Sequence, residues 1–205
     1  MTTMTGFAHP VFGTQLCFRK IVKAISELGS LVTVPNVSGL ESISSATAAT
    51  LLTLTSHTTP LFIDPQMSNP LLLRTLCLHT NVPIVTTLEE AYFVLLSGNP
   101  FSYDLMTLSC GSEAEPEKST TVIVEVDGMH DGPCLKLTGP GIKTHRVISP
   151  HLPDRVRNYL CNRPHAFPTG LDFLFTSGKS CLRSLEVPTW RNANVRCRER
   201  WGKGH

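Results

Sequence analysis

The densest group of residues able to do chemistry is Pro164-His165-Ala166-Phe167-Pro168-Thr169-Gly170-Leu171-Asp172. An imidazole changes charge near neutral pH and a carboxylate accepts hydrogen bonds or a proton, so His165 and Asp172 suit acid–base work or phosphate contacts. Pro164 and Pro168 restrict the backbone and Gly170 frees it. The sequence therefore predicts a rigid loop that presents His165 just ahead of a strand carrying Asp172. On the other reading of these residues, both side chains satisfy polar groups of the loop itself.

Three further groups have the right types. Thr138-Gly139-Pro140-Gly141-Ile142 is a tight turn whose backbone N–H groups can face an anion, although it has neither a P-loop nor the GxGxxG of a dinucleotide site. It reads equally as a turn that ends a strand. Arg19 lies on a helical stretch with Ser26 and ahead of Gly29, and can meet a phosphate or a partner's carboxylate, or simply face solvent. His79 closes another helix, where the dipole favours a cation and a structural role suffices. No HExxH, paired metal-ligand histidines or GxSxG nucleophile elbow is present, and no metal site is expected. The seven cysteines (17, 77, 110, 134, 161, 181 and 197) are widely spread and odd in number, which predicts reduced thiols.

The elements that position these residues alternate between helix and strand. Phe18, Ile21, Val22 and Ile25 recur at helical spacing, with Thr14 as a starting cap and Gly29 just past the end. Residues 31–34 then read as a strand. A second helix opens at Ser44 or Ser45 and a third at Pro70, after Ser68 or Asn69. Residues 61–63, 92–96 and 171–175 are short apolar strands. Thr87 and Glu90 have capping-box spacing and predict a helical turn, and residues 101–108 a short helix. Residues 120–126 and 134–137, joined across Gly128 and Gly132, read as an antiparallel hairpin. A last helix starts at Pro153 and stops before Pro164. The pattern is α/β, with a mixed sheet and helices on both faces.

The chain has 205 residues, enough for one real core. Its net charge is only +2, which gives no global field suited to nucleic acid. That charge is unevenly placed. Residues 185–205 hold five basic residues (Arg191, Arg196, Arg198, Arg200 and Lys203) and two acids (Glu186 and Glu199), a net +3 over a body at −1. Residues 1–184 therefore form the single α/β domain and 185–205 a basic tail. No apolar run approaches the ~18 residues of a membrane span, and the N-terminus has no secretory pattern, so a cytoplasmic protein is expected.

Read in order, five motifs stand together. They are Phe18-Arg19…Ala24-x-Ser26-x-x-Gly29; Thr59-Pro60-Leu61-Phe62; Leu76-x-Leu78-His79-Thr80-Asn81-x-Pro83; Leu137-Thr138-Gly139-Pro140-Gly141-Ile142; and Arg163-Pro164-His165-x-Phe167-Pro168-x-Gly170-x-Asp172. This ordered set closely resembles the PhnH family of the bacterial phosphonate carbon–phosphorus lyase system, over about Phe7 to Gly178. Past Leu182 the resemblance fails. Arg183-Ser184-Leu185-Glu186-Val187-Pro188-Thr189-Trp190 stands where the family continues Leu/Ile-Pro-Arg-Thr-Thr.

The resemblance implies a three-layer α/β/α fold, similar to the large domain of pyridoxal-phosphate-dependent transferases but without that cofactor. It implies a homodimer that joins PhnG, PhnI, PhnJ and PhnL, and no membrane or nucleic-acid partner. The implied function is a subunit of the assembly that moves ribose 5-triphosphate from ATP to an alkylphosphonate with release of adenine. ATP is then a co-substrate of the assembly, and this chain has no activity by itself. Within that assembly the chain is alternatively a non-catalytic scaffold or a module for a phosphorylated ligand. Arg19, Ser26, Gly29, His79, Thr138, Gly139, Gly141, His165, Pro168, Gly170 and Asp172 are its binding or interface candidates. A stand-alone enzyme built on His165 and Asp172 is the competing reading.

Overall fold

The computed structural model describes residues 6–27, 29–40, 42–139, 142–162, 164–165, 168–184 and 189–192. In chain order the elements are β1 (Gly6–Phe7), α1 (Pro10–Ser26), β2 (Val32–Thr33), β3 (Val37–Ser38), α2 (Ser45–Leu54), β4 (Leu61–Ile63), α3 (Pro70–Thr80), β5 (Ile84–Val85) and β6 (Phe93–Ser97). There follow β7 (Thr121–Glu125), β8 (Leu135–Thr138), β9 (Arg146–Ile148), α4 (Asp154–Asn162), β10 (Asp172–Ser177), β11 (Ser180–Ser184) and β12 (Thr189–Asn192).

The main sheet has seven strands in the order β2-β11-β10-β7-β6-β4-β5. β10, β7, β6, β4 and β5 run parallel, while β11 is antiparallel to both β10 and β2. Its central strands are nearly continuous apolar runs, as expected for strands covered on both faces. Side-chain alternation divides them cleanly. Leu61, Ile63, Leu95, Ile123 and Leu174 join the core beneath α1, α2 and α3. Phe62, Val94, Leu96, Val122, Val124, Phe173 and Phe175 join the core on the opposite face, with Val156 and Leu160 of α4.

The helices follow from their local sequences. α1 buries Cys17, Ile21 and Ala24, one stripe at helical spacing. α2 is made of Ala, Thr and Leu and is buried almost all round, its small side chains allowing close packing. Its first turn is capped by the Ser44 hydroxyl, which accepts from the Thr47 N–H at 3.2 Å. The Glu125 carboxylate accepts from the Ser44 N–H at 2.9 Å and from the Thr47 hydroxyl. A negative charge there also meets the positive end of the helix. α3 is capped by Asn69, whose Oδ1 accepts from the Leu72 N–H at 2.7 Å, and ends at Asn81 in the left-handed region.

Topology decides where the sheet opens. From β4 the chain moves to β5 through α3 on one face. It then returns to β6 and advances through β7 to β10 with its connections on the other face. Right-handed crossovers require opposite faces for opposite directions of travel. The reversal lies between β4 and β6.

Several sequence expectations change. β7 and β8 form no hairpin: β7 sits between β6 and β10, whereas β8 pairs with β9 and β12 in a separate three-stranded sheet. The reason is burial. Val122, Ile123 and Val124 are apolar on both faces and belong in a central strand, while Leu135-Lys136-Leu137 alternates and fits a one-sided sheet. Thr87 to Glu90 forms bends and turns and no helical turn, because the chain passes directly into β6. Of residues 101–108 only Leu105–Thr107 forms a 3-10 turn. α1 begins at Pro10, not Thr14, since proline suits a first turn. Uniformly reduced thiols are also corrected: Cys134 is disulfide-bonded, whereas Cys17, Cys77, Cys110, Cys161 and Cys181 form no disulfide. No described helix is long and apolar enough to cross a membrane.

Candidate functional site

His165 follows α4 on the loop that leads into β10. Its Nε2 lies 3.2 Å from the Sγ of Cys110, within hydrogen-bond distance. Backbone pairing fixes this meeting. The Gly170 N–H donates to the Cys110 carbonyl at 2.9 Å, and Cys110 forms an isolated antiparallel bridge with Ser119. Gly170 has φ 142°, a conformation that favours glycine. Tyr159 of α4 stacks at a tilt near His165, ring centres 6.3 Å apart, and lies 5.5 Å from Phe173. A small cavity of about 10 Å³ is lined by Tyr159, His165, Thr169 and Gly170, among others. It has room for about one water-sized molecule. Asp172 opens β10 opposite Thr121 of β7, and Pro168 is half-buried.

The other candidates lie elsewhere. Arg19 is exposed on α1, on the face of the sheet opposite α4, and no described ion pair includes it. Ser26 donates its hydroxyl to the Val22 carbonyl at 2.7 Å within the same helix. His79 is exposed in the last turn of α3, against Gly6. Gly29 (φ 72°) packs against Leu137 of β8 and Arg146 of β9, so the end of α1 touches the small sheet. Thr138 ends β8 opposite Thr189, and the Gly139 carbonyl accepts from the Ile142 N–H at 3.1 Å. Pro140, Gly141, Arg163, Ala166 and Phe167 lie outside the described residues, as does the tail apart from Thr189–Asn192. Arg19 and His165 therefore do not share a site in this chain.

Two groups escaped the sequence reading. One is Cys110, a half-buried cysteine with no motif around it; only the tertiary fold brings it to His165. The other lies at the carboxyl ends of β4 and β6, where the sheet reverses and open α/β sheets bind ligands. Asp64, 2 % exposed, follows β4; it accepts from the Gln66 N–H at 2.9 Å and the Ser97 N–H at 3.3 Å. Burial pushes the Tyr103 hydroxyl up to about 12, with the Asp64 charge and a hydrogen bond to it adding to the effect. The signal for this group was Phe62-Ile63-Asp64, an acid ending a buried strand. Among the described residues no group of three or more His, Cys, Asp or Glu is placed to hold a metal ion.

The most exposed apolar side chains of α1 are on its first two turns and beyond. Val11 is 85 %, Phe12 75 % and Phe18 51 % exposed, with Leu16 and Val22 beside them. Of these, Val11 and Phe18 line a shallow groove of about 480 Å³, together with Pro10, Thr14, Gln15 and Thr53. Several large apolar side chains exposed on one helix mark interaction surfaces more than solvent-facing ones.

These features define an α/β protein with a switched mixed sheet and a helix, α1, that exposes several large apolar side chains. A family model described as "Bacterial phosphonate metabolism protein (PhnH)" matches residues 5–185, and the chain belongs to that family. The alpha-D-ribose 1-methylphosphonate 5-triphosphate synthase subunit PhnH of Rhizobium meliloti (strain 1021) is 29% identical over 178 residues, covering 86% of this chain and 89% of the relative. The putative C-P lyase subunit protein HtxG of Stutzerimonas stutzeri is 36% identical over 94 residues, 45% of this chain and 47% of that protein.

Proposed function

We propose that this chain is a subunit of an assembly that transfers ribose 5-triphosphate from ATP to an alkylphosphonate, releasing adenine. The observation that carries the reading is the match to a synthase subunit along nearly the whole of both chains. In such a transfer a phosphonate oxygen attacks the ribose C1′ as adenine leaves. Charge develops on the ribose and on the phosphonate and phosphate oxygens. Catalysis then rests on positioning and anion contacts, and no protein nucleophile is required. ATP enters as a co-substrate of the assembly.

The partners on this reading are PhnG, PhnI, PhnJ and PhnL, with a second copy of the chain forming a homodimer. The apolar face of α1 supplies a docking surface. Placement of Arg19 and His165 on opposite faces of the sheet favours a scaffolding or jointly built site over a private one. The fold is then of the kind found in the large domain of pyridoxal-phosphate-dependent transferases, without that cofactor. A reducible Schiff base between added pyridoxal phosphate and one lysine would contradict this.

The experiment is co-expression with the four partners. Co-purification, together with adenine release from ATP and methylphosphonate that requires this chain, is expected. A chain that stays alone, or adenine release by the lone chain, would overturn the reading.

A further inference from the structure

The geometry points to Cys110 as an activated thiol, with His165 as its base, open to oxidation by a small hydroperoxide. A thiol becomes nucleophilic as its thiolate, and a neighbouring imidazole that takes the proton holds that thiolate as an ion pair. The 3.2 Å approach of Sγ to Nε2 provides this partner. The approach is held from both sides. On one side the Gly170–Cys110 and Cys110–Ser119 backbone contacts fix the cysteine. On the other, Tyr159 packs against the imidazole. The Leu108 carbonyl lies 3.5 Å from Sγ, the alternative acceptor for the thiol proton. The other titratable or charged groups on the surrounding elements are Tyr159, Cys161, Arg155 and the Arg157–Asp154 ion pair of α4, Asp172 of β10, and Glu117 with the Lys118–Glu115 ion pair.

The reagent proposed is the smallest hydroperoxide: the cavity of about 10 Å³ lined by His165, though not by Cys110, has room for about one water-sized molecule and none for a nucleotide. In the oxidation, the Cys110 sulfur attacks one peroxide oxygen. The S–O bond forms as the O–O bond breaks, and sulfur loses two electrons to the peroxide. The leaving hydroxide takes the proton from the imidazolium, giving water, neutral His165 and a sulfenic acid.

The remaining cysteines make the chain its own control. Cys17 and Cys181 are fully buried, and burial pushes the Cys17 thiol up. Cys77 is exposed on α3. If access alone governed reaction, Cys77 would outrun the half-buried Cys110.

The test is alkylation of the full folded chain by iodoacetamide, read cysteine by cysteine by mass spectrometry across pH. A parallel arm adds hydrogen peroxide and traps sulfenic acid with dimedone. At pH 7 Cys110 is expected to alkylate about tenfold faster than Cys77, with a midpoint below that of a free thiol, ~8.5, and to be the main dimedone adduct. In His165→Gln the rate advantage is expected to disappear. Wild-type Cys110 reacting no faster than Cys77, a midpoint at or above that of a free thiol, or an advantage that survives in folded His165→Gln would each overturn the assignment. The wild-type rates and midpoint decide it even if the variant fails to fold.

Discussion

A methyl group at Gly29 would lie 2.6 Å from Cδ1 of Leu137, a side chain with no exposed surface. This contact ties the end of α1 to β8, joining elements more than a hundred residues apart in sequence. Gly29 also has φ 72°, so two independent constraints select glycine there. Gly29→Ala is expected to cost about 1–3 kcal/mol, combining left-handed strain with overpacking. Gly178 (φ 56°) has open space where a Cβ would lie, so Gly178→Ala should cost only about 1–2 kcal/mol from strain. Urea unfolding of both variants checks the ordering.

Glu125 reaches from the end of β7 to the first turn of α2. Replacing it with alanine removes the acceptor of the Ser44 N–H, while the Thr47 hydroxyl keeps Ser44 and Thr176 as hydroxyl neighbours. The expected loss is about 1–3 kcal/mol by chemical denaturation. Glu125→Gln keeps an acceptor oxygen and removes only the charge at the helix terminus, so it should cost less.

Tyr103 supplies a pH prediction. Its hydroxyl is raised to about 12 by burial and then by Asp64, so the folded state holds this proton where the unfolded chain, at ~10, has released it. The corresponding stability is fully present below pH ~10 and is lost as pH rises towards 12. Ultraviolet titration should show a tyrosine ionising late. That step should vanish in Tyr103→Phe and move to lower pH in Asp64→Asn.

The apolar face of α1 separates assembly from folding. Phe12 and Phe18 are 75 % and 51 % exposed, so Phe12→Glu with Phe18→Glu should change stability by no more than about 1 kcal/mol. The same double variant is expected to lose co-purification with the partner subunits. A variant that assembles normally would remove α1 as the docking surface.

Strands and helices whose residues carry their own signal were legible in the amino-acid string. The apolar runs in β4, β6 and β10 read as buried strands because burial on both faces demands such runs. Asn69 before Pro70 and the serines at 44–45 marked helix starts because caps are local chemistry. The ordered motifs, and with them the family, were legible for the same reason: each is a contiguous string.

Which strings meet is settled in three dimensions. β7 and β8 are close in the chain and both extended, yet core burial sends them to different sheets. Cys110 carries no local sign of a role, because its partner His165 is fifty-five residues away and is delivered by a backbone pairing. Asp64 and Tyr103 meet where the sheet reverses direction, a property of strand order and of no single segment. Arg19 and His165, both contact candidates, lie on opposite layers of the sheet, and residues so placed share no face however well their types match.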